Sequence, residues 1–130
     1  MKTLLLGAAL GLMASAAAAD PLQGTWRTAP DDNGNTGLVQ VGPCAGDAAL
    51  LCGQLVRAFD ADGNQVDSAN VGRMIIFDTA LHSGNEYRGK VWAPDRDKTY
   101  NSRLVLTGNQ LSVSGCALGI CREGGVWTRQ

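Results

Sequence analysis

One histidine, His82, serves the whole chain of 130 residues. Zinc sites and hydrolytic triads lean on imidazole, so metal and acyl-transfer chemistry is short of its usual side chain. His82 lies in Thr79-Ala80-Leu81-His82-Ser83-Gly84, which reads as an exposed loop before a hairpin turn. No serine stands in a G-x-S-x-G elbow, the sharp turn that exposes a nucleophile. No C-x-x-C pair is present for thiol redox chemistry. A charge excess is missing too: eleven basic residues face twelve acidic ones, which leaves nothing to neutralise a row of phosphates and argues against a nucleic-acid partner. Helical periodicity is nearly absent beyond the first residues, and no second long apolar run follows the first. The seventeen glycines are scattered without period, so collagen-like and linker readings fail. No internal repeat is found.

What is present begins with an export signal. Lys2 supplies a positive start, Leu4 to Met13 an apolar stretch, and Ala17-Ala18-Ala19 the small residues of a cleavage site. The apolar stretch is too short for a comfortable membrane span. No cysteine stands near the cleavage site, so a lipid anchor at a new N-terminus is not expected. Residues 1–19 are read as a signal removed after Ala19, and 20–130 as one domain in the periplasm with no membrane span. Without Lys2, ten basic residues face twelve acidic ones, a net charge of about −2. A chain of this length fits one core.

Four cysteines remain in the exported part. They allow three pairings. Short separation favours Cys44–Cys52 and Cys116–Cys121, each closing a small loop, and the chain-entropy model gives each roughly 2–3 kcal/mol. The spacings are wider than the C-x₂₋₄-C pairs of structural zinc sites, and the compartment favours oxidation. No metal and no other cofactor is expected.

Short alternating apolar runs recur between glycine, asparagine and aspartate clusters, the pattern of antiparallel β structure. Strands are predicted over 24–28, 37–41, 50–59, 72–78, 86–92, 99–107, around Leu111 and Val113, and over 125–129. After the Asp62-Gly63 turn, the polar stretch to Asn70 reads as a long loop or a short helix. Gly108-Asn109 is a two-residue hairpin signal. About eight short strands in one small all-β domain predict a single antiparallel up-and-down barrel, which abolishes sheet edges by closure. A β-sandwich is the alternative.

The ordered motifs Gly24-Thr25-Trp26, Pro43-Cys44, Leu51-Cys52-Gly53-Gln54-Leu55-Val56, Gly89-Lys90-Val91-Trp92-Ala93-Pro94-Asp95, Lys98-Thr99-Tyr100, Gly115-Cys116, Cys121-Arg122 and Trp127-Thr128-Arg129 span nearly the whole exported part. Together they resemble domain-of-unknown-function family 2147, a family of exported bacterial proteins. The resemblance implies a calycin-type barrel, lipocalin-like in shape, and carries no catalytic residues with it. Asp97 stands where that pattern usually has glycine. Gly24-x-Trp26 near the start and Trp127 and Arg129 near the end also resemble the lipocalin bookends. In that arrangement an indole caps one barrel end and an arginine lies against it, a contact worth about 0.5–2 kcal/mol.

Candidate chemistry is thin. Asp31, Asn33 and Asn35, and again Asp60, Asp62 and Asn64, mimic calcium loops, but Thr36 and Gln65 replace the loop glycine and Gly42 and Val71 the bidentate glutamate. Turn chemistry explains both. Asp95, Asp97 and Glu86 are the best carboxylates for acid–base work, yet Pro94-Asp95 and Asp97-Lys98 are what a connecting turn needs. Among strand arginines and lysines (Arg57, Arg73, Arg88, Lys90, Arg103), Arg88 and Arg103 are candidates to fix a polar head group. Tyr87, Trp92, Tyr100, Met74 and Leu104 would line a small, partly apolar ligand inside the barrel or at one mouth. The same side chains also suffice to fill an eight-stranded barrel outright. Two readings follow: a periplasmic barrel that binds a small apolar or amphipathic ligand, or a cell-envelope interaction module with no ligand cavity and a protein partner. No enzyme is expected.

Overall fold

The computed structural model describes residues 19–130. The export signal expected before them lies outside the described residues. Nine strands follow in order: β1 Gly24–Arg27, β2 Thr36–Pro43, β3 Leu51–Phe59, β4 Gln65–Val66, β5 Met74–Ser83, β6 Glu86–Ala93, β7 Lys98–Thr107, β8 Gln110–Ala117 and β9 Ile120–Arg129. Neighbours pair antiparallel in the order β2-β1-β9-β8-β7-β6-β5-β3, and β2 pairs with β3 to close the ring. The result is the expected eight-stranded up-and-down barrel, not a sandwich. β4 is a two-residue addition at the far end of β3. No helix among the described residues is long and apolar enough to cross a membrane.

Alternation builds the wall. Val39 and Val41 of β2 are buried on either side of exposed Gln40. On β7, Ser102 and Leu104 point inward between exposed Asn101 and Arg103. Their partners follow the register: Leu104 faces Tyr87 on β6 and Val113 on β8, and Leu111 faces Trp127 on β9. Gly108-Asn109 makes the β7–β8 hairpin as its residues predict.

Three elements depart from the sequence reading. β5 does not stop at Asp78. A bulge lets it continue, with Asp78 at φ = 46° and the register shifting between Phe77 and Ala80. Thr79 to His82 is therefore strand and not loop, although His82 is still exposed. Gly89 on β6 makes the bulge possible. A Cβ there would collide with Thr79 Oγ1 and stand 2.6 Å from the Phe77 carbonyl oxygen. The stretch to Asn70 is loop and not helix, except that Gln65–Val66 pair back with β3 as β4. β9 starts five residues before Gly125, at Ile120, because the Leu118-Gly119 turn folds it onto β8.

Both disulfides link the expected pairs. Cys44–Cys52 spans the β2–β3 connection and Cys116–Cys121 staples the β8–β9 hairpin, where the two cysteines stand directly opposite in the ladder.

Candidate functional site

One end of the barrel is closed by the segment that leads into β1. Leu22 enters the core and is fully buried. Trp26 lies beneath it, also fully buried, and its indole Nε1 donates to the Leu22 carbonyl at 3.0 Å. The Arg129 guanidinium covers the Trp26 ring at 4.3 Å from the centroid. From there it donates to the carbonyls of Gln23 at 3.0 Å and Pro21 at 2.6 Å, and to Asn109 Oδ1 at 3.2 Å. Gly24 lets the arginine cross: it sits at φ = 135°, and a side chain on it would begin 3.0 Å from Arg129 Nη1. Asp20 completes the plug. Its Oδ1 accepts from the Leu22 N–H at 2.8 Å and from the Tyr87 hydroxyl at 2.7 Å. Burial, and then the hydrogen bond to that carboxylate, push the Tyr87 hydroxyl up to about 12.

Below the plug lies the apolar core. Val39, Val41, Leu51, Leu55, Ile76, Val91 and Val113 fill it together with Tyr87, Leu104, Leu111 and Trp127. The proposed ligand set does not converge on one space. Tyr87 and Leu104 point inward and touch other core groups. Tyr100 is half-buried against Gly115, whose Cβ position is 3.4 Å from the ring. Trp92 falls on the opposite face of β6 from Tyr87 and Val91. It is nonetheless 5% exposed, because the Arg73 guanidinium lies 3.7 Å over its ring and Asp97 Oδ1 accepts its Nε1–H at 3.0 Å. Met74 is on the surface, beside Gln40 and Gln54 in an open depression of about 440 Å³.

Arg88 and Arg103 face outward from β6 and β7, opposite each other. Both donate to Glu86, Arg103 at 3.1 Å. These two hydrogen bonds, that of Arg88 first, hold the Glu86 carboxyl below its ordinary value. A second depression, about 400 Å³, lies under the Leu118-Gly119 turn; Arg88 and Asn101 line it together with Gly89 and inward-facing Ser102, whose buried hydroxyl has no hydrogen-bond partner among the described residues.

The carboxylates form no acid–base pair among the described residues. Glu86 begins β6, whereas Asp95 and Asp97 lie beyond its end. The two calcium-like loops are turns. Asp31 Oδ1 accepts the N–H groups of Asn33 and Asn35, both at 2.9 Å, and Asp60 Oδ1 those of Asp62 and Asn64, at 3.0 and 2.8 Å. The one close trio of metal-ligating types among the described residues is Cys44, Cys52 and Asp78. Its sulfurs are joined as a disulfide, which removes the thiolates a metal needs.

The residues that close the barrel were partly invisible in the sequence. Trp26 and Arg129 carry a recognisable signature. Leu22 and Asp20 precede the first strand, where alternation has nothing to say. Arg73, read as a strand residue, lies just before β5 and reaches Trp92 from there.

The model of the family described as "Uncharacterized protein conserved in bacteria (DUF2147)" matches residues 24–129. No curated protein and no solved structure matches the chain.

Proposed function

The chain belongs to the DUF2147 family of bacterial proteins, and on that premise we propose that it is an exported envelope barrel that acts through its outer surface. It holds no ligand inside and catalyses no reaction. The observation that carries this reading is the packed apolar core beneath the plug. Leu22 is inserted at one end, and the ring of Tyr87, Leu104, Leu111 and Trp127 occupies the space below it. A small-molecule site is a concavity of a few hundred cubic ångströms that buries most of its ligand, whereas the two depressions described above are open to solvent. Export is supported by the two disulfides, which persist in oxidising compartments.

The test is a titration of the purified, oxidised protein with fatty acids and environment-sensitive dyes, read by tryptophan fluorescence, with Trp92→Leu as control. The expected result is no saturable signal. A saturable change at micromolar protein would return the interior-ligand reading.

A further inference from the structure

β9 has ten residues and β1 has four. The ladder between them joins only Trp26 to Arg129 and Arg27 to Thr128. Beyond Arg27 the chain makes no further ladder pair with β9. The Thr28 N–H donates to the Gly37 carbonyl, Ala29 Cβ stands 2.5 Å from where a side chain on Gly125 would begin, and Pro30 has no N–H to give. From Ile120 to Glu123, β9 is therefore paired on one side only, with β8, and Gly124 stands unpaired in a bulge that ends this stretch. All these residues are exposed. Alternate residues of an antiparallel strand turn their N–H and C=O away from the partner, so this edge presents free donors and acceptors at strand spacing. β9 is closed onto β1 at Thr128 and Arg129, and the Cys116–Cys121 staple holds the β8–β9 hairpin in register.

We propose that the Ile120–Glu123 edge of β9 is a docking site for an extended segment of another protein, added antiparallel to β9. The groups to be satisfied are backbone groups repeated along a strand, and an extended polypeptide is the ligand that matches them. The side chains set the preference. Among the described residues Arg122 has no ion-pair partner. Glu123 has accepted only the Ser112 hydroxyl, at 2.6 Å. A segment with an acidic residue opposite Arg122 and a basic residue opposite Glu123 complements both.

A second copy of this chain fits worse. Directly opposed residues in an antiparallel pair share a face, so twofold pairing of β9 with itself is centred on a residue. Centred on Arg122 or Glu123, it sets like charges against each other. Centred on Cys121, it sets Arg122 against Ile120.

This inference rests on the outer-surface reading. The fatty-acid titration tests that reading without touching β9, and the following one tests β9 without touching the interior. The ¹⁵N-labelled, disulfide-bonded protein is titrated with the peptide acetyl-Thr-Lys-Glu-Thr-Val-amide, which places Lys opposite Glu123 and Glu opposite Arg122. Saturable amide shifts and slowed hydrogen exchange are expected, concentrated in Ile120–Glu123. Exchanging Lys and Glu in the peptide should weaken binding about threefold or more, the size of cross-strand charge pairs. Arg122→Glu, an exposed change that leaves the core alone, should shift the preference to acetyl-Thr-Lys-Lys-Thr-Val-amide. No saturable shift up to millimolar peptide, shifts centred elsewhere, or equal affinity for both charge orders would overturn the proposal.

Discussion

Asp97 sits at φ = 50° in the β6–β7 turn, a conformation that costs most L-residues about 1–2 kcal/mol and Asp or Asn less. The strain is offset by chemistry that glycine lacks, because Asp97 accepts the indole N–H of nearly buried Trp92. Leaving that donor unpaired costs about 1–3 kcal/mol. Asp97→Gly should therefore destabilise by about 1 kcal/mol net, and Asp97→Asn, which keeps an acceptor, should be close to neutral. Urea midpoints at unchanged slope check both. Tyr87 gives the protein an alkaline limit. Its hydroxyl is raised from 10 to about 12, so the neutral form is favoured by folding. That stability is fully present below pH 10 and is lost as the pH climbs through about 12. It is on the order of 2 kcal/mol. Tyr87→Phe should lose about 1–2 kcal/mol at neutral pH, the share of a hydrogen bond to a carboxylate. It should also lose its part of the decline between pH 10 and 12. The difference in absorbance at 295 nm between the two proteins should place the missing transition near pH 12.

At the scale of elements, the β8–β9 hairpin is the unusual one. Its turn places Leu118 at φ = 54° with the side chain fully in solvent, and the Cys116–Cys121 staple holds that turn closed behind it. Leu118→Asn should stabilise by about 0.5–1 kcal/mol, since Asn tolerates the left-handed region at lower cost. A rise in thermal midpoint at constant cooperativity would show it. The same turn explains what the sequence hid. Gly108-Asn109 announces its hairpin through residues that adopt such turns alone. Leu118-Gly119 has a leucine at the strained position, so the start of β9 was legible only from Gly125 onward. Asp78 misled for a related reason, because it reads as a strand terminator but sits in a bulge opposite Gly89. The inward residues of β2, β7 and β8 were legible because one face is apolar and the other polar. Trp92 was not, since it is covered on the outer face by Arg73 and Asp97, contacts that strand periodicity does not encode.

For the molecule as a whole, the wall of eight strands leaves a width that side chains alone can fill, and one of those side chains comes from outside the wall. Leu22 is the stopper. It is fully buried, and its carbonyl carries the Trp26 hydrogen bond. The neighbouring carbonyls of Pro21 and Gln23 tie the stopper to Arg129, and so to the last strand. Shortening this one residue should turn a filled barrel into one with a hole at its closed end. Leu22→Ala should cost about 2–5 kcal/mol, the transfer term plus the cavity left behind. Leu22→Met keeps the volume and should cost less than about 1.5 kcal/mol. If the interior of the native protein is solid, 1-anilinonaphthalene-8-sulfonate should bind saturably to Leu22→Ala and neither to the native protein nor to Leu22→Met. Near-UV circular dichroism must show that the alanine variant keeps its fixed tertiary packing, because a loosened barrel would bind the dye without a defined site. Equal saturable binding by the native protein would mean that the plug opens in solution. The barrel would then be a container after all, and its outer edge would lose its place as the working surface.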